Sequence, residues 1–273
     1  MVSEMLGARI HRKPDILTVL LFFLSAFLVA NFLLFASFAR LDVGVGSQWL
    51  YNVRVGGSAG LAVESYEEKV WLESLTYCEK ILCYRIVKTN PTHLHSDYLT
   101  GDNRLLRSTI IDKGDGTVYE ISYEPPLLMM PMSLSVGDVW QSSSTATVRV
   151  FSQGFVKEDR IWMGNVESKV VERLVLSGVG GSVEGFLIEE RREGVLTKRM
   201  IYSPSVHQVV RYEIPVSVVW GELIDVSIRA PGLFDFLMIN MFSGFELRYL
   251  LVLTVVLGFL RLYLWLGYRG PKE

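Results

Sequence analysis

The sequence lacks the short motifs that mark the common enzyme active sites. It contains no H-E-x-x-H, no P-loop and no Rossmann fingerprint. The glycine-rich stretch of residues 178–181 (GVGG) does not have the strand-to-helix context that a phosphate-binding loop needs. We therefore expect a protein that is not an enzyme and that binds no cofactor.

Net charge is also nearly absent. The chain has 27 Lys and Arg residues against 29 Asp and Glu residues, for a formal charge of −2 at pH 7. A surface that binds nucleic acid or a polybasic surface that binds lipid needs an excess of positive charge. We therefore expect no nucleic-acid partner.

Charge is missing entirely from the run of residues 16–38. At about 1.5 Å per residue, a helix of this length crosses a hydrocarbon core of about 30 Å, so these residues are predicted to form a transmembrane helix. Basic residues are concentrated before the run, which predicts a cytoplasmic N-terminus at residues 1–15. The alternative is a signal peptide cleaved at residues 37–39, although apolar regions of signal peptides are usually about 7–15 residues long.

A second apolar run, residues 249–268, is predicted to span the membrane in the opposite direction. The basic tail at residues 269–273 then also lies in the cytoplasm, and the middle of the chain lies outside the cell membrane. Arg261 interrupts this run, and an arginine near mid-bilayer costs at least about 2.5 kcal/mol. It either extends toward the headgroups or contacts a carboxylate or carbonyl group on a partner helix. Residues 231–247 are apolar but interrupted by Asp235 and Asn240, and are predicted to form an interfacial helix.

The middle, residues 40–229, shows the pattern of an extracytoplasmic β domain. Short runs with strand-like composition alternate with turn residues, and no long amphipathic helix is evident. The predicted fold is mainly β: an antiparallel curved sheet, half-barrel or sandwich between two transmembrane helices. Strand candidates are residues 47–55, 69–77, 84–88, 105–111, 117–123, 144–151, 168–176, 185–191, 196–202, 208–214, 216–219 and 223–228.

A weak internal repeat suggests that this domain is duplicated. The pattern V-G-x-x-W occurs at residues 45–49 and again at residues 136–140, and each copy is followed by a predicted strand. A tyrosine followed by turn residues comes late in each half, at Tyr98 and at Tyr202. A chance match of so short a pattern remains an alternative to a true duplication.

Two segments resemble a known family. Residues 131–140 (PMSLSVGDVW) and residues 200–212 (MIYSPSVHQVVRY) are similar to the strand motifs of secreted convex β-sheet domains related to the lipoprotein-carrier (LolA/LolB-like) half-barrels. The resemblance covers roughly residues 47–214 and departs from the motif at His207, where glycine is expected. It implies a sheet with an apolar concave face for acyl chains, by analogy of fold alone.

The two cysteines of the chain, Cys78 and Cys83, flank a short turn between strand candidates. On an external domain, this arrangement predicts a disulfide across the mouth of a hairpin. A metal site formed by this pair is the alternative, but the spacing differs from the C-x₂-C of zinc sites.

Two further groups of residues have side chains that could bind a ligand. His93, His95 and Asp97 would share one face of a strand as a metal-ligating set, or would be solvated side chains on a loop. Three methionines follow in an apolar segment. Met129, Met130 and Met132 are predicted to make apolar contacts with the core, lipid or a partner, and Cu(I) binding is the alternative.

These features lead to three hypotheses of function. The first is a non-catalytic surface protein, an accessory or scaffold subunit that contacts the lipid bilayer and membrane-protein partners. The alternative is a membrane-tethered domain that binds lipid or another apolar ligand. A distant third is a metal-dependent surface enzyme that uses His93, His95 and Asp97.

Overall fold

The chain forms an extended series of strands between two apolar helices. The computed structural model describes residues 15–38, 43–56, 64–78, 81–152, 155–178, 181–237, 239–242 and 245–267. The helices are α1 (Ile16–Phe38), α2 (Leu233–Leu237) and α3 (Leu247–Gly267). The strands are β1 (Gln48–Val55), β2 (Glu64–Cys78), β3 (Ile81–Thr89), β4 (His93–Thr100), β5 (Arg104–Asp112), β6 (Val118–Leu128), β7 (Val139–Ser152), β8 (Phe155–Gly178), β9 (Gly181–Arg192), β10 (Val195–Ser203), β11 (Gln208–Ile214), β12 (Val219–Ser227), β13 (Asn240–Phe242) and β14 (Phe245–Glu246). Residues 1–14 and the 269–273 tail, on which the predicted orientation depends, lie outside the described residues.

Strand β1 closes the sheet into a barrel. Its residue Trp49 lies opposite Val226 of β12 on one edge and opposite Val70 of β2 on the other edge. The strands from β2 to β12 pair antiparallel in chain order, so β1 to β12 form a closed twelve-strand barrel. The prediction of a mainly antiparallel β fold is confirmed, but the half-barrel and the sandwich are wrong. Closure pairs the two edges that a half-barrel would leave open.

Two details of the strand prediction also change. Residues 216–219 and 223–228 do not form two closing strands, because a single strand, β12, covers residues 219–227. The segment with His93, for which strand and loop were both open, is strand β4. Most of the other predicted runs are shorter than the observed strands, most clearly in the 24-residue β8.

The V-G-x-x-W pattern corresponds to one backbone arrangement that occurs twice. Gly46 has φ of 90° and Gly137 has φ of 95°, a conformation that glycine adopts without steric cost. Gly46 N–H donates to Leu72 O at 2.8 Å, and Gly137 N–H donates to Val170 O at 2.9 Å. The strand register then shifts directly after Leu72 in β2 and directly after Val170 in β8. The first half (β1–β6) and the second half (β7–β12) therefore begin in the same way.

Both long helices leave the barrel at the same end. α1 precedes β1, and α3 follows β12 through α2, β13 and β14. Because successive strands are antiparallel, the connections at residues 101–103, 129–138 and 204–207 lie at this end too. We call it the helix end. The opposite end, with the connections at residues 113–117 and 215–218, is the far end.

The two helices are long and apolar enough to cross a membrane, by length and composition. They pack against each other, and Arg261 Nη1 of α3 lies 2.6 Å from Asp15 Oδ2 at the start of α1. Asp15 Oδ1 also accepts a hydrogen bond from Thr18 N–H at 2.8 Å. The carboxylate that Arg261 contacts therefore belongs to this chain, not to the partner helix that the sequence suggested.

The segment before α3 is a correction to the sequence analysis. Residues 231–247 do not form one interfacial helix, because α2 covers only Leu233–Leu237 and is followed by two short strands. Asp235 is 2% exposed; its Oδ1 accepts Val45 N–H at 2.9 Å and its Oδ2 accepts Gly232 N–H at 2.7 Å. This buried carboxylate holds the segment against the start of β1. The following helix, α3, begins at Leu247, two residues earlier than predicted.

Candidate ligand-binding cavity

A cavity of about 250 Å³ lies inside the barrel. Its walls are mainly apolar and come from strands of both halves. They include Trp49, Leu72, Ile86, Leu99, Leu105, Met130 and Met200. The volume is slightly below the roughly 300–1,000 Å³ that is typical of small-molecule sites.

The cavity continues into a groove at the helix end. This groove has a volume of about 760 Å³ and is bordered by residues 131–134 on one side and by β8 and β9 on the other. Asn103, Tyr202 and His207 line both the groove and the cavity. We call these three residues the mouth.

Two mouth residues occupy turns with the same unusual backbone conformation. Asn103 has φ of 61° and His207 has φ of 51°. Asn103 N–H donates to Thr100 O at 3.0 Å, and His207 N–H donates to Pro204 O at 3.3 Å. Left-handed φ favours glycine and tolerates asparagine. Glycine, which the motif quoted in the sequence analysis has in place of His207, would adopt this conformation without steric cost.

The inner part of the cavity is charged. Lys88 Nζ lies 2.7 Å from Asp97 Oδ2, while Asp97 Oδ1 accepts Ser108 Oγ–H at 2.6 Å and lies 2.8 Å from His95 Nε2. Burial opposes the ionisation of Asp97, but the ammonium of Lys88 and the contact with His95 outweigh it and hold the pKa of Asp97 well below its ordinary value. Asp97 is therefore an ionised and well-satisfied group.

A second lysine in the cavity has no such partner. Lys198 lies opposite Glu190 in the register of β10 and β9, and both residues line the cavity. Among the described residues, no side chain makes a hydrogen bond or an ion pair within 4 Å of Lys198 Nζ, and the Tyr212 ring centroid is 5.9 Å away. Burial lowers the pKa of Lys198, an effect that Glu190 partly opposes. Burial also raises the pKa of Glu68 nearby.

The structure places the three predicted methionines at this site. Met129 and Met130 line the cavity, and Met132 lines the groove. Met130 is 8% exposed, whereas Met129 is 44% and Met132 is 52% exposed. The segment thus reaches from the interior to the surface of the helix end. Met130 packs in a buried cluster with Trp140 and Met200, and contact of Met129 and Met132 with lipid or a partner stays a prediction.

The predicted metal-ligating set is not assembled. His95 contacts Asp97, but His93 Nε2 lies 3.6 Å from a different carboxylate, Asp112 Oδ2. Within the part of the chain that the structure describes, no three His, Cys, Asp or Glu side chains are grouped as metal ligands. Strand β4 does place the three side chains on one face. However, His93 lies near Asp112 of β5, whereas His95 and Asp97 belong to the group of contacts around Lys88.

The two cysteines are thiols in the structure. Cys83 is buried, and its Sγ donates to Ile81 O at 3.6 Å. Its hydrogen bond with Cys78, together with burial, raises the pKa of Cys83. The side chains are therefore adjacent, as the hairpin prediction requires, but the disulfide itself is not supported.

The sequence analysis missed Lys88, Glu190 and Lys198 as site residues. Each is a charged residue in a strand with alternating polarity, where charge normally indicates a solvent-exposed face. A usable signal was present, because Lys88 and Lys198 have the same parity as the apolar Tyr84, Ile86, Met200 and Tyr202 on their strands. Charges in phase with the apolar face indicate a polar patch inside a sheet.

No family model matches the sequence, and no curated protein matches it at a significant level. Among solved structures, it is similar to a beta-barrel-like protein of a domain of unknown function from Brucella abortus, with 9% identity over 69% of this chain and 99% of that chain and a TM-score of 0.33. It is also similar to the hypothetical lipoprotein YmcC from Escherichia coli, with 13% identity over 81% of this chain and 100% of that chain and a TM-score of 0.30. TM-scores this low support no argument about function, so the resemblance to lipoprotein carriers stays a prediction.

Proposed function

We propose that this protein is a membrane-anchored binding protein whose barrel accommodates an apolar chain from the adjacent bilayer. One observation supports this proposal above the others: the cavity and groove meet at the helix end, where both apolar helices leave the barrel. A ligand that moves from the membrane into the barrel would have the shortest path at this end.

In this proposal the protein crosses the membrane twice. α1 and α3 contact each other as an antiparallel pair, and the Asp15–Arg261 ion pair compensates the charge that is unfavourable in the second span. The basic residues near both ends of the sequence favour cytoplasmic termini and an external barrel.

The proposal reverses the order of the hypotheses from sequence. The accessory-subunit hypothesis depended in part on the charge of Arg261 in the second apolar run, and that arginine has a partner in its own chain. The metal-enzyme hypothesis depended on His93, His95 and Asp97, which do not form a set. A non-catalytic binding role is what the apolar cavity supports.

The test is lipid analysis of the full-length protein together with a blocked variant. Met129, exposed at the mouth side of the cavity, is changed to tryptophan, and Val216, 77% exposed at the far end, is changed in the same way as the matched control. After gentle extraction from membranes, we expect lipid or another amphiphile to co-purify stoichiometrically with the wild type and Val216→Trp but to be depleted from Met129→Trp. Equal loads in all three, or none in any, would contradict the proposal.

A further inference from the structure

We propose that the cavity binds a single-chain amphiphile with a small anionic head group, and that Lys198 is the residue that binds this head. The inference depends on the proposed function and adds the chemical class of the ligand. It is drawn from the different states of the two lysines in the cavity.

Lys88 is unsuited to bind the ligand head group because its ammonium already forms an ion pair with Asp97. Its ammonium lies 2.7 Å from Asp97 Oδ2, and the other Asp97 oxygen accepts Ser108 Oγ–H. A ligand anion near Lys88 would have to compete with a carboxylate that is fixed by several contacts. Separating this pair inside the barrel would leave two poorly solvated charges, which is strongly unfavourable.

Lys198 has donors available. Among the described residues, none makes a hydrogen bond or an ion pair within 4 Å of its ammonium, although Glu190 lies opposite it on β9. Lys198 is half-buried, so water satisfies its ammonium only in part, and a carboxylate or phosphate head group would supply further acceptors. Burial lowers the pKa of Lys198, and the charge of Glu190 opposes this effect.

An anionic head is favoured over a cationic head by the state of the acidic groups. Asp97 already has Lys88, Ser108 and His95 around it. Burial raises the pKa of Glu68, and the charges of Lys88, His95 and Lys198 oppose this shift. Among the described residues that line the cavity, Glu190 is the other acidic group, and it lies opposite Lys198, so a ligand cation there would face a positive charge.

The position of Lys198 along β10 sets the direction of the ligand. Tyr202 of the mouth is four residues further along the same strand, or roughly 13 Å at about 3.3 Å per residue. Apolar side chains, among them Met200 and Leu99, line the cavity between these levels. The head would thus lie inside the barrel, and the alkyl chain would point through the mouth toward the membrane.

The experiment compares two ligands that differ only in the head group. Full-length protein in phosphatidylcholine nanodiscs is titrated with ω-bromododecanoate and with ω-bromododecanol, and bromine quenching of tryptophan fluorescence reports binding, since Trp49 lines the cavity. The variants are Lys198→Met, Lys198→Arg and, as the matched control, Lys157→Met. Lys157 is an exposed lysine of β8, paired with Asp159 at 2.7 Å.

We expect the wild type to bind the acid about tenfold or more tightly than the alcohol, as one charged hydrogen-bonding interaction provides. Lys198→Met should lose this preference while it still binds the alcohol, whereas Lys198→Arg and Lys157→Met should keep it. Lys198→Arg also preserves the charge if the methionine variant does not fold. Equal wild-type binding of acid and alcohol, an unchanged preference in Lys198→Met, or tighter binding of ω-bromododecylamine would overturn the inference and leave the proposed function standing. Binding of none of these ligands would overturn both.

Discussion

The two halves of the barrel share a backbone plan but differ in what they place inside it. In the first half, Ile86 pairs with Asp97 on the next strand, whereas in the second half the corresponding Ile188 pairs with Met200. By the same register, Lys88 of the first half corresponds to Glu190 of the second half. Positive-φ glycines and turn hydrogen bonds give both halves the same backbone conformation. The inward-facing side chains can therefore differ between the halves. As a result, the Lys88–Asp97 ion pair lies on one side of the cavity. Lys198 lies on the other side and makes no ion pair within 4 Å among the described residues.

The turns at which the two halves of the barrel begin also differ. At the first start, buried Asp235 from the C-terminal segment accepts Val45 N–H. At the second, the exposed Asp138 of the same turn accepts Ser135 N–H at 2.7 Å. One start is therefore held by a distant part of the chain and the other by a local contact, which predicts different sensitivities to mutation.

The largest difference is expected at Asp97. Asp97→Met gives the first half the residue of the second half and leaves Lys88 without its carboxylate. This should lower the free energy of unfolding by about 3 kcal/mol, the low end for a buried pair, because the Lys88 side chain is 36% exposed. The double variant Lys88→Met, Asp97→Met should recover much of this loss. Urea unfolding of the full-length protein in one detergent, followed by tryptophan fluorescence, measures both. A double variant no more stable than the single one would show that the ion pair is not the cause.

Asp97 should also make the free energy of unfolding depend on pH in the acid range. The pKa of Asp97 is lowered in the fold, so its contribution is complete above its unfolded pKa of about 3.9 and is lost as pH falls toward the folded value. The free energy of unfolding should therefore drop below about pH 4. In Asp97→Met that part of the drop should disappear. Parallel curves for the two proteins over this range would refute the assignment.

The second largest difference in stability is expected between the variants Asp235→Ala and Asp138→Ala. Asp235→Ala leaves two N–H groups, those of Val45 and Gly232, without their acceptor, at about 1–3 kcal/mol each where they are buried. Asp138→Ala removes one exposed contact and should cost about 0.5 kcal/mol. Urea midpoints at unchanged slope measure both. Equal losses of stability in the two variants would mean that the C-terminal segment does not stabilise the turn before β1.

Particular residues show how far the sequence could predict this molecule. Gly46 and Gly137 stand in a motif whose repetition is visible in the sequence, and both have the positive φ that only glycine adopts freely. Barrel closure was not predictable, because the pairing of Trp49 with Val226 joins distant parts of the chain and the alternation is the same in an open sheet. Asp235 interrupted an apolar run, but only the fold shows that it accepts hydrogen bonds from the start of β1. Lys198 was missed because a charge on a strand usually faces water.

The third difference compares the two motif tryptophans. Trp49 Nε1 donates to Val206 O at 2.8 Å, whereas Trp140 Nε1 is buried and has no hydrogen-bond partner among the described residues. Replacement by phenylalanine removes similar volume from both sites but breaks a hydrogen bond only at Trp49. Trp49→Phe should therefore cost about 1 kcal/mol more than Trp140→Phe. Urea unfolding followed by circular dichroism measures both variants. A larger loss in Trp140→Phe would contradict the prediction.

The smallest difference is expected at the mouth. A histidine at positive φ is strained by about 1–2 kcal/mol, and glycine relieves this strain at some entropic cost, so His207→Gly should raise the free energy of unfolding by about 0.5–1 kcal/mol. Asparagine tolerates this conformation, so Asn103→Gly should have an effect close to zero. Both variants are compared with the wild type by urea unfolding at constant slope. If His207→Gly is destabilising while Asn103→Gly is neutral, the His207 side chain stabilises the mouth by more than its backbone strain costs.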